Sequence, residues 1–305
     1  MRITNHRGAV GARGLGTLPA VLGRHVEALC YPRHARAQPG ANARARAYIA
    51  DHLSTLGYQV RLQGPHHNVV ATPLDPTGPL RFVGAHYDSV PQTPGADDNG
   101  SGLAVLLELA RAAALGGVPV GLIAFNAEED GLVGSRDFVA ELEHRRGPRP
   151  AAIHVLEMVG FTAEHQGSGP LPRFLVGDRR GDFLALIANR GSSILARDTL
   201  RRARAQPLAP STSTLQTCGL ERWLPDLLRS DHAPFWDAGI PALMWTDTAD
   251  LRNPHYHQPT DLPHTLDLEF MARVAVLLME AVAVPVAPTL SVSGLYAATR
   301  RGPSG

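Results

Sequence analysis

The sequence predicts an α/β fold, a three-layer sandwich in which a mixed, mostly parallel sheet lies between helices. Two observations carry this. Helical and strand-like apolar patterns take turns through the middle of the chain, the order that builds a largely parallel sheet covered by helices. The chain's 305 residues are enough for one core that buries about 75% of the unfolded surface, and no repeat or Pro- or Ser-rich linker divides them. One domain over residues 1–305 is expected, with its core at about 40–285. The polar, Gly- and Pro-containing ends, 1–17 and 286–305, are expected to be loose.

The elements follow in order. Asn42 to Leu56 carries helical spacing at Ala45, Tyr48, Ile49, Leu53 and Leu56, with Gly57 as a stop. Tyr58 to Leu62 and Asn68 to Thr72 read as strands joined by a turn at Gly64-Pro65, and Leu80 to Ala85 as a third strand. Then come a helix over Ser101 to Leu115, a strand over Val118 to Phe125, a helix over Gly134 to Arg145 and a strand over Ala151 to Leu156. A strand at Phe174 to Val176, a helix at Asp182 to Asn189, a strand at Pro241 to Trp245 and a long helix at Asp267 to Val282 complete the count. Residues 191–230 carry no clear period and read as long loops near the site.

Charge and cysteine usage exclude several classes. All 29 basic positions are arginine, balanced by 28 acids to a formal +1, and no basic block offers the footprint of a nucleic-acid binder. Cys30 and Cys218 lie outside any C-x-x-C pattern, so no cysteine metal site is expected, and whether they pair is open. The first 25 residues lack the apolar run of a secretory signal. The greasiest stretch, Val274 to Val286, is too short to span a bilayer. A cytoplasmic protein that binds neither membrane nor nucleic acid is the expectation, with oligomeric state open.

In open α/β sheets ligands bind beyond the carboxyl ends of the strands. Polar residues follow four predicted strands: His86-Tyr87-Asp88, Asn126-Ala127-Glu128-Glu129, Glu157 and Tyr256-His257. A fifth polar loop, Gly95 to Gly100, leads into the Ser101 helix. Two imidazoles and at least three carboxylates form a donor set that suits a catalytic divalent metal such as zinc. Two ions sharing one carboxylate would suit amide hydrolysis, with a spare carboxylate as base.

Read together, GAHYDS (84–89), GADDNGSG (95–102), NAEEDGLVGS (126–135), LEMVG (156–160), RSDHAPFWDAGIPA (229–242) and PHYHQPTD (254–261) resemble the co-catalytic zinc aminopeptidases of peptidase family M28, clan MH. The resemblance runs from about residue 40 to 285 and implies the fold of the zinc-dependent exopeptidases, one or two Zn2+ per chain and a peptide substrate. Residue by residue, it implies His86, Asp98, Glu129, Glu157 and His257 as metal ligands, with Asp98 bridging and Glu128 as general base. Asp88 matches the acid that holds a ligand imidazole, and Tyr256 and Arg229 match groups that stabilise the oxyanion or hold the substrate. Glu157 departs from the family's usual aspartate. Asp97 is the rival for the bridging position, set behind Asp98 by the latter's place before Asn99; His66 and His67 read as surface residues, His154, His232 and His255 as structural, and Phe161, Trp236 and Trp245 as candidate walls of a substrate pocket.

No G-x-S-x-G or H-E-x-x-H occurs, which disfavours serine hydrolases and zincins. Two alternatives stand beside the aminopeptidase: a glutaminyl cyclase, which shares the fold and much of the ligand set, and a non-catalytic homologue of the receptor type.

Overall fold

A computed structural model of the chain describes residues 1–6, 15–76, 78–144, 150–167 and 180–283, with the main chain alone at 6, 143 and 144. Its centre is a nine-stranded sheet in the order β1-β8-β7-β9-β6-β4-β5-β3-β2. The strands are β1 (Arg2–His6), β2 (Gln59–Gln63), β3 (Asn68–Thr72), β4 (Arg81–His86), β5 (Val120–Phe125), β6 (Ala152–Leu156), β7 (Phe183–Ala188), β8 (Ser211–Gln216) and β9 (Ala242–Thr246). β5, β4, β6 and β9 run parallel in the middle, and β7 pairs parallel with β8. The β1–β8, β2–β3, β3–β5 and β7–β9 pairings are antiparallel.

Strands β5 and β6 are buried along their whole length, as continuous apolar runs in a sheet covered on both faces must be. Successive side chains separate into two cores. Val120, Leu122 and Ala124 of β5 join one, whereas Ile123 and Phe125 join the other, the alternation a pleated strand imposes. The first core packs under α1 (Leu18–Leu29), α2 (Pro39–Thr55), α3 (Gly102–Gly116) and α7 (Leu268–Val282), and α5 (Ser193–Ala205) lies against α7. The second core takes Phe138 and Val139 from α4 (Val133–His144) and Phe235 and Trp236 from α6 (Ala233–Asp237). The sheet is therefore the middle of three layers. Asp267 starts α7 by accepting from the Phe270 N–H at 2.9 Å, the cap a helix opening needs.

Several elements depart from the sequence reading. Asp182 to Asn189, expected as a helix, is strand β7. FLALIA is six apolar residues, and a run that short fits a buried strand and a helix face equally well until a partner decides; β8 and β9 are those partners. Residues 191–230, expected as long loops, hold α5 and β8. α5 buries Leu195, Ala196, Thr199, Leu200 and Ala203 along one stripe, a pattern diluted by its arginines. β1 lies within the expected loose end and pairs residue for residue with β8. The strand expected at Phe174 to Val176 and the end 286–305 fall outside the described residues. Cys30 and Cys218 are both free.

Candidate active site

The four parallel central strands deliver their carboxyl ends to one edge of the sheet, and the polar residues converge there. His86 is the last residue of β4, Glu128 and Glu129 follow β5, and Glu157 follows β6. His257 comes from the loop after β9, and Asp98 lies in the π-type turn Ala96–Ser101 that opens α3. Asp98 is the meeting point. Its Oδ1 lies 3.2 Å from His86 Nε2 and its Oδ2 3.2 Å from His257 Nε2. Glu157 Oε1 is 3.5 Å from His86 Nε2, and Glu129 Oε2 is 3.4 Å from His257 Nε2. Three groups each bring donor atoms within 4.8 Å of one another: His86, Asp98 and Glu157; Asp98, Glu129 and His257; and His86, Glu128 and Glu129.

This donor set fits a divalent metal on an observation of its own. His86 Nε2 and Glu129 Oε1 are buried without a hydrogen-bond partner. Buried polar atoms left so are costly unless something else satisfies them. The charges point the same way. Burial opposes protonation of His257, but hydrogen bonds to Asp98 and Glu129 raise it to about 10. His86 is likewise driven up against burial by Glu157 and Glu128. Burial raises Glu129 to about 7, helped by Asp98. Carboxylates packed this closely draw in positive charge, as protons or as a cation.

Neighbouring groups hold the cluster in place. The Asp88 main-chain oxygen is 3.2 Å from His86 Nδ1, with its carboxylate at 3.5 Å. That carboxylate instead accepts the main-chain N–H groups of Glu128 and Glu129, each at 3.2 Å. Asp88 thus ties the β4 exit to the β5 exit. Asp261 accepts the N–H groups of Asp97 and Asp98, and Ser230 Oγ donates to Glu157 Oε2 at 2.7 Å. Asn99 links the turn to β6 by donating to Leu156 O and accepting from Met158 N.

Tyr256 stacks on the His257 ring, with centroids 3.7 Å apart, and its hydroxyl accepts from Arg229 at 3.0 Å. Arg229 also donates to Asp250. Burial works against the arginine's charge, but Tyr256 and Asp250 more than offset it. Both residues line a cavity of about 610 Å³ together with Asp98, Glu128, Glu129 and Glu157. Most of the remaining wall is apolar, with Met244 of β9, Ile187 of β7, Leu215 of β8, Ile3 of β1, Leu227 and Leu251, and polar side chains such as Gln166, Ser213 and Thr246 stand among them.

Trp236 and Trp245, expected as pocket walls, are buried elsewhere. Trp236 donates to Ala242 O and Trp245 to His154 Nδ1, so each indole N–H is spent inside the core. Phe161 also lies off the lining and packs edge-on against His255. Asp97 turns away from the cluster to Gly160 N and Asn253. His66 pairs with Asp137, His232 with Leu227 O and His255 with Thr260.

Residues 68–282 match Peptidase family M28. The chain belongs to peptidase family M28. The uncharacterized protein YfbL of Escherichia coli (strain K12) is 33% identical over 272 residues, 82% of each chain. Aminopeptidase YwaD of Bacillus subtilis (strain 168) is 33% identical over 66% of this chain, which spans 40% of its length. Among solved structures, BSAP, a zinc aminopeptidase from Bacillus subtilis, is 29% identical with a TM-score of 0.54, covering 70% of this chain and 48% of its own. Fimbriiglobus ruber glutaminyl cyclase, at 20% identity and a TM-score of 0.61 over 90% of this chain and 97% of its own, shares the fold. No helix among the described residues is long and apolar enough to cross a membrane.

Within this M28 chain, the sequence reading missed Ser230 and Asp261. Ser230 stands in the quoted RSDHAPF segment, but its partner Glu157 is 73 positions away. Asp261 closes PHYHQPTD, and its acceptors' role toward Asp98 appears only when the two loops meet. Three positions beside the site, Ala127, Met158 and His257, have φ of +56°, +48° and +56°, costly conformations with no signature in their residue types.

Proposed function

We propose that this protein is a zinc-dependent aminopeptidase that removes apolar residues from the N-termini of peptides. The observation that carries the reading is the shared carboxylate of Asp98, flanked by two donor groups and opening onto an apolar cavity. In this reading His86, Asp98 and Glu157 hold one ion and Asp98, Glu129 and His257 the other. Zinc bound there supplies Lewis acidity toward the scissile carbonyl and lowers the pKa of water.

The chain's own groups do the rest. Glu128 is buried at the cluster, and burial, opposed by His86, raises its affinity for a proton well above the ordinary carboxylate value. Such a group is suited to accept the proton of the attacking water and pass it to the leaving amine. Asp88 fixes the main chain of Glu128 and Glu129, from which both carboxylates reach the cluster. Tyr256 offers its hydroxyl proton to the oxygen on which charge develops, oriented by Arg229, which donates to that hydroxyl. The apolar walls receive the N-terminal side chain, and burying a leucine or phenylalanine there favours binding by about 1.5–3 kcal/mol. The likeness to the cyclase is one of fold, and the donor set is intact, which speaks against a non-catalytic homologue.

Glu128→Gln separates the roles. The amide cannot accept the proton but leaves both proposed ligand sets, His86–Asp98–Glu157 and Asp98–Glu129–His257, unchanged, so zinc content should stay at the wild-type level while turnover falls by about 100- to 10,000-fold. Wild-type turnover by the variant would contradict the assignment.

A further inference from the structure

Arg33 is fully buried, yet none of the described contacts of its guanidinium is to a carboxylate. All five run to main-chain oxygens: Nε to Tyr87 at 2.8 Å, Nη1 to Leu29 at 2.8 Å, to Tyr31 at 3.3 Å and to Pro94 at 2.6 Å, and Nη2 to Gly95 at 3.0 Å. Buried charges normally have an ionic partner. Here burial disfavours the cation, and Asp98 and Asp88 are the carboxylates whose charges offset that cost. Arginine's planar fork reaches several oxygens in fixed directions, which lysine cannot match.

The oxygens it gathers belong to the segments that carry the donor cluster. Tyr87 directly follows His86, and Pro94 and Gly95 lead into the turn that holds Asp98. Gly95 has φ +66°, and a Cβ there would come within 2.9 Å of Arg33 Nη1 and 2.4 Å of Asp98 O; the loop lies directly against the guanidinium. The main chain of Arg33 is fastened too. Its N–H donates to Ser89 Oγ and its carbonyl accepts from Asn42 Nδ2. Asn42 exchanges amide hydrogen bonds with Asn126, two residues before Glu128.

We infer that Arg33 is a positioning residue for the metal centre, clamping the His86 and Asp98 segments at the spacing the ions require. Its buried positive charge also acts against the negative charges of Asp98 and Asp88. This rests on the metal-centre reading above. Groups that hold ligands without touching the metal typically contribute 10- to 100-fold to metal affinity.

The test is zinc titrated into metal-free wild type, Arg33→Lys and Ser89→Ala in competition with a chromophoric chelator, with circular dichroism confirming each protein folded. Arg33→Lys keeps the charge and loses the fork, so its zinc affinity should fall by about 10- to 100-fold. Ser89→Ala removes the acceptor of the Arg33 N–H, together with the hydroxyl's own bonds to Thr93 O and Val90 O, but leaves the guanidinium clamp in place and should show a smaller fall. At saturating zinc, kcat of Arg33→Lys should drop with KM little changed, because the apolar cavity is untouched. If Arg33→Lys does not fold, Ser89→Ala alone decides. Wild-type zinc affinity in the folded variants would overturn the role of Arg33. A wild-type protein that takes up no zinc would overturn the metal-centre reading itself, and the role of Arg33 with it.

Discussion

Residue identity and residue role part company most clearly among the histidines. His86 and His257 gain protons from the carboxylates around them, whereas His154, on the neighbouring strand, is held neutral. Burial lowers its pKa from 6.5 to about 3, and Arg81 adds to the effect. Between those values the unfolded chain binds a proton that the folded chain refuses, so His154 costs stability progressively as pH falls below about 6.5. His154→Gln keeps an acceptor for the Trp245 indole but does not titrate. Thermal unfolding at pH 7 and pH 4.5 should show the variant losing less stability than wild type on acidification; equal losses would contradict this. The candidate site was legible at this scale where the residue type itself offers a metal donor, as in His86, Asp98, Glu128, Glu129, Glu157 and His257, which the structure brings together. Arg33 was not legible. Its partners are main-chain oxygens, which no pattern of side chains reports, and it is one of 29 arginines.

Elements position the site through close main-chain approach. Helix α4 starts against the β5 exit: a Cβ on Gly134 would lie 2.2 Å from Asn126 O and 2.4 Å from Asn68 Oδ1. The Leu132 and Val133 N–H groups donate to Glu128 O and Ala127 O, so the same few residues begin the helix and carry the carboxylates. Gly134→Ala must push α4 or this loop aside, and overpacking of that kind costs about 1–3 kcal/mol. Urea unfolding should give a lower midpoint; an unchanged midpoint would show that the contact yields freely. Long apolar elements such as α3 and α7 were readable because 15 residues exceed the usual length of a strand. Strand β7 was not, since six apolar residues do not fix a period, and α5 was not, since its arginines blur the stripe.

Across the whole molecule, the parallel centre of the sheet explains why residues from 86 to 257 share one site: parallel strands with helical crossovers put all their carboxyl ends on one edge. The flanking strands β7, β8 and β1 extend the sheet sideways past β9 and supply apolar walls of the cavity. The alternation of helices and strands revealed the centre from sequence. The flank stayed hidden, because β1 is a strand only by pairing with β8, 206 to 214 positions away in register. A polar site at one end of an apolar cavity is the arrangement expected for cleaving an amide beside an apolar N-terminal residue.

The measurement that bears most directly on this account is mass spectrometry of a peptide set incubated with zinc-loaded protein, with Glu128→Gln as control. The set contains N-terminal leucine, phenylalanine, glycine and glutamine peptides, each free and N-acetylated. The account predicts stepwise loss of single residues from the free peptides, fastest for leucine and phenylalanine, and none from the acetylated forms or with the control. Loss of ammonia from the glutamine peptide without shortening, or no change in any peptide, would contradict it.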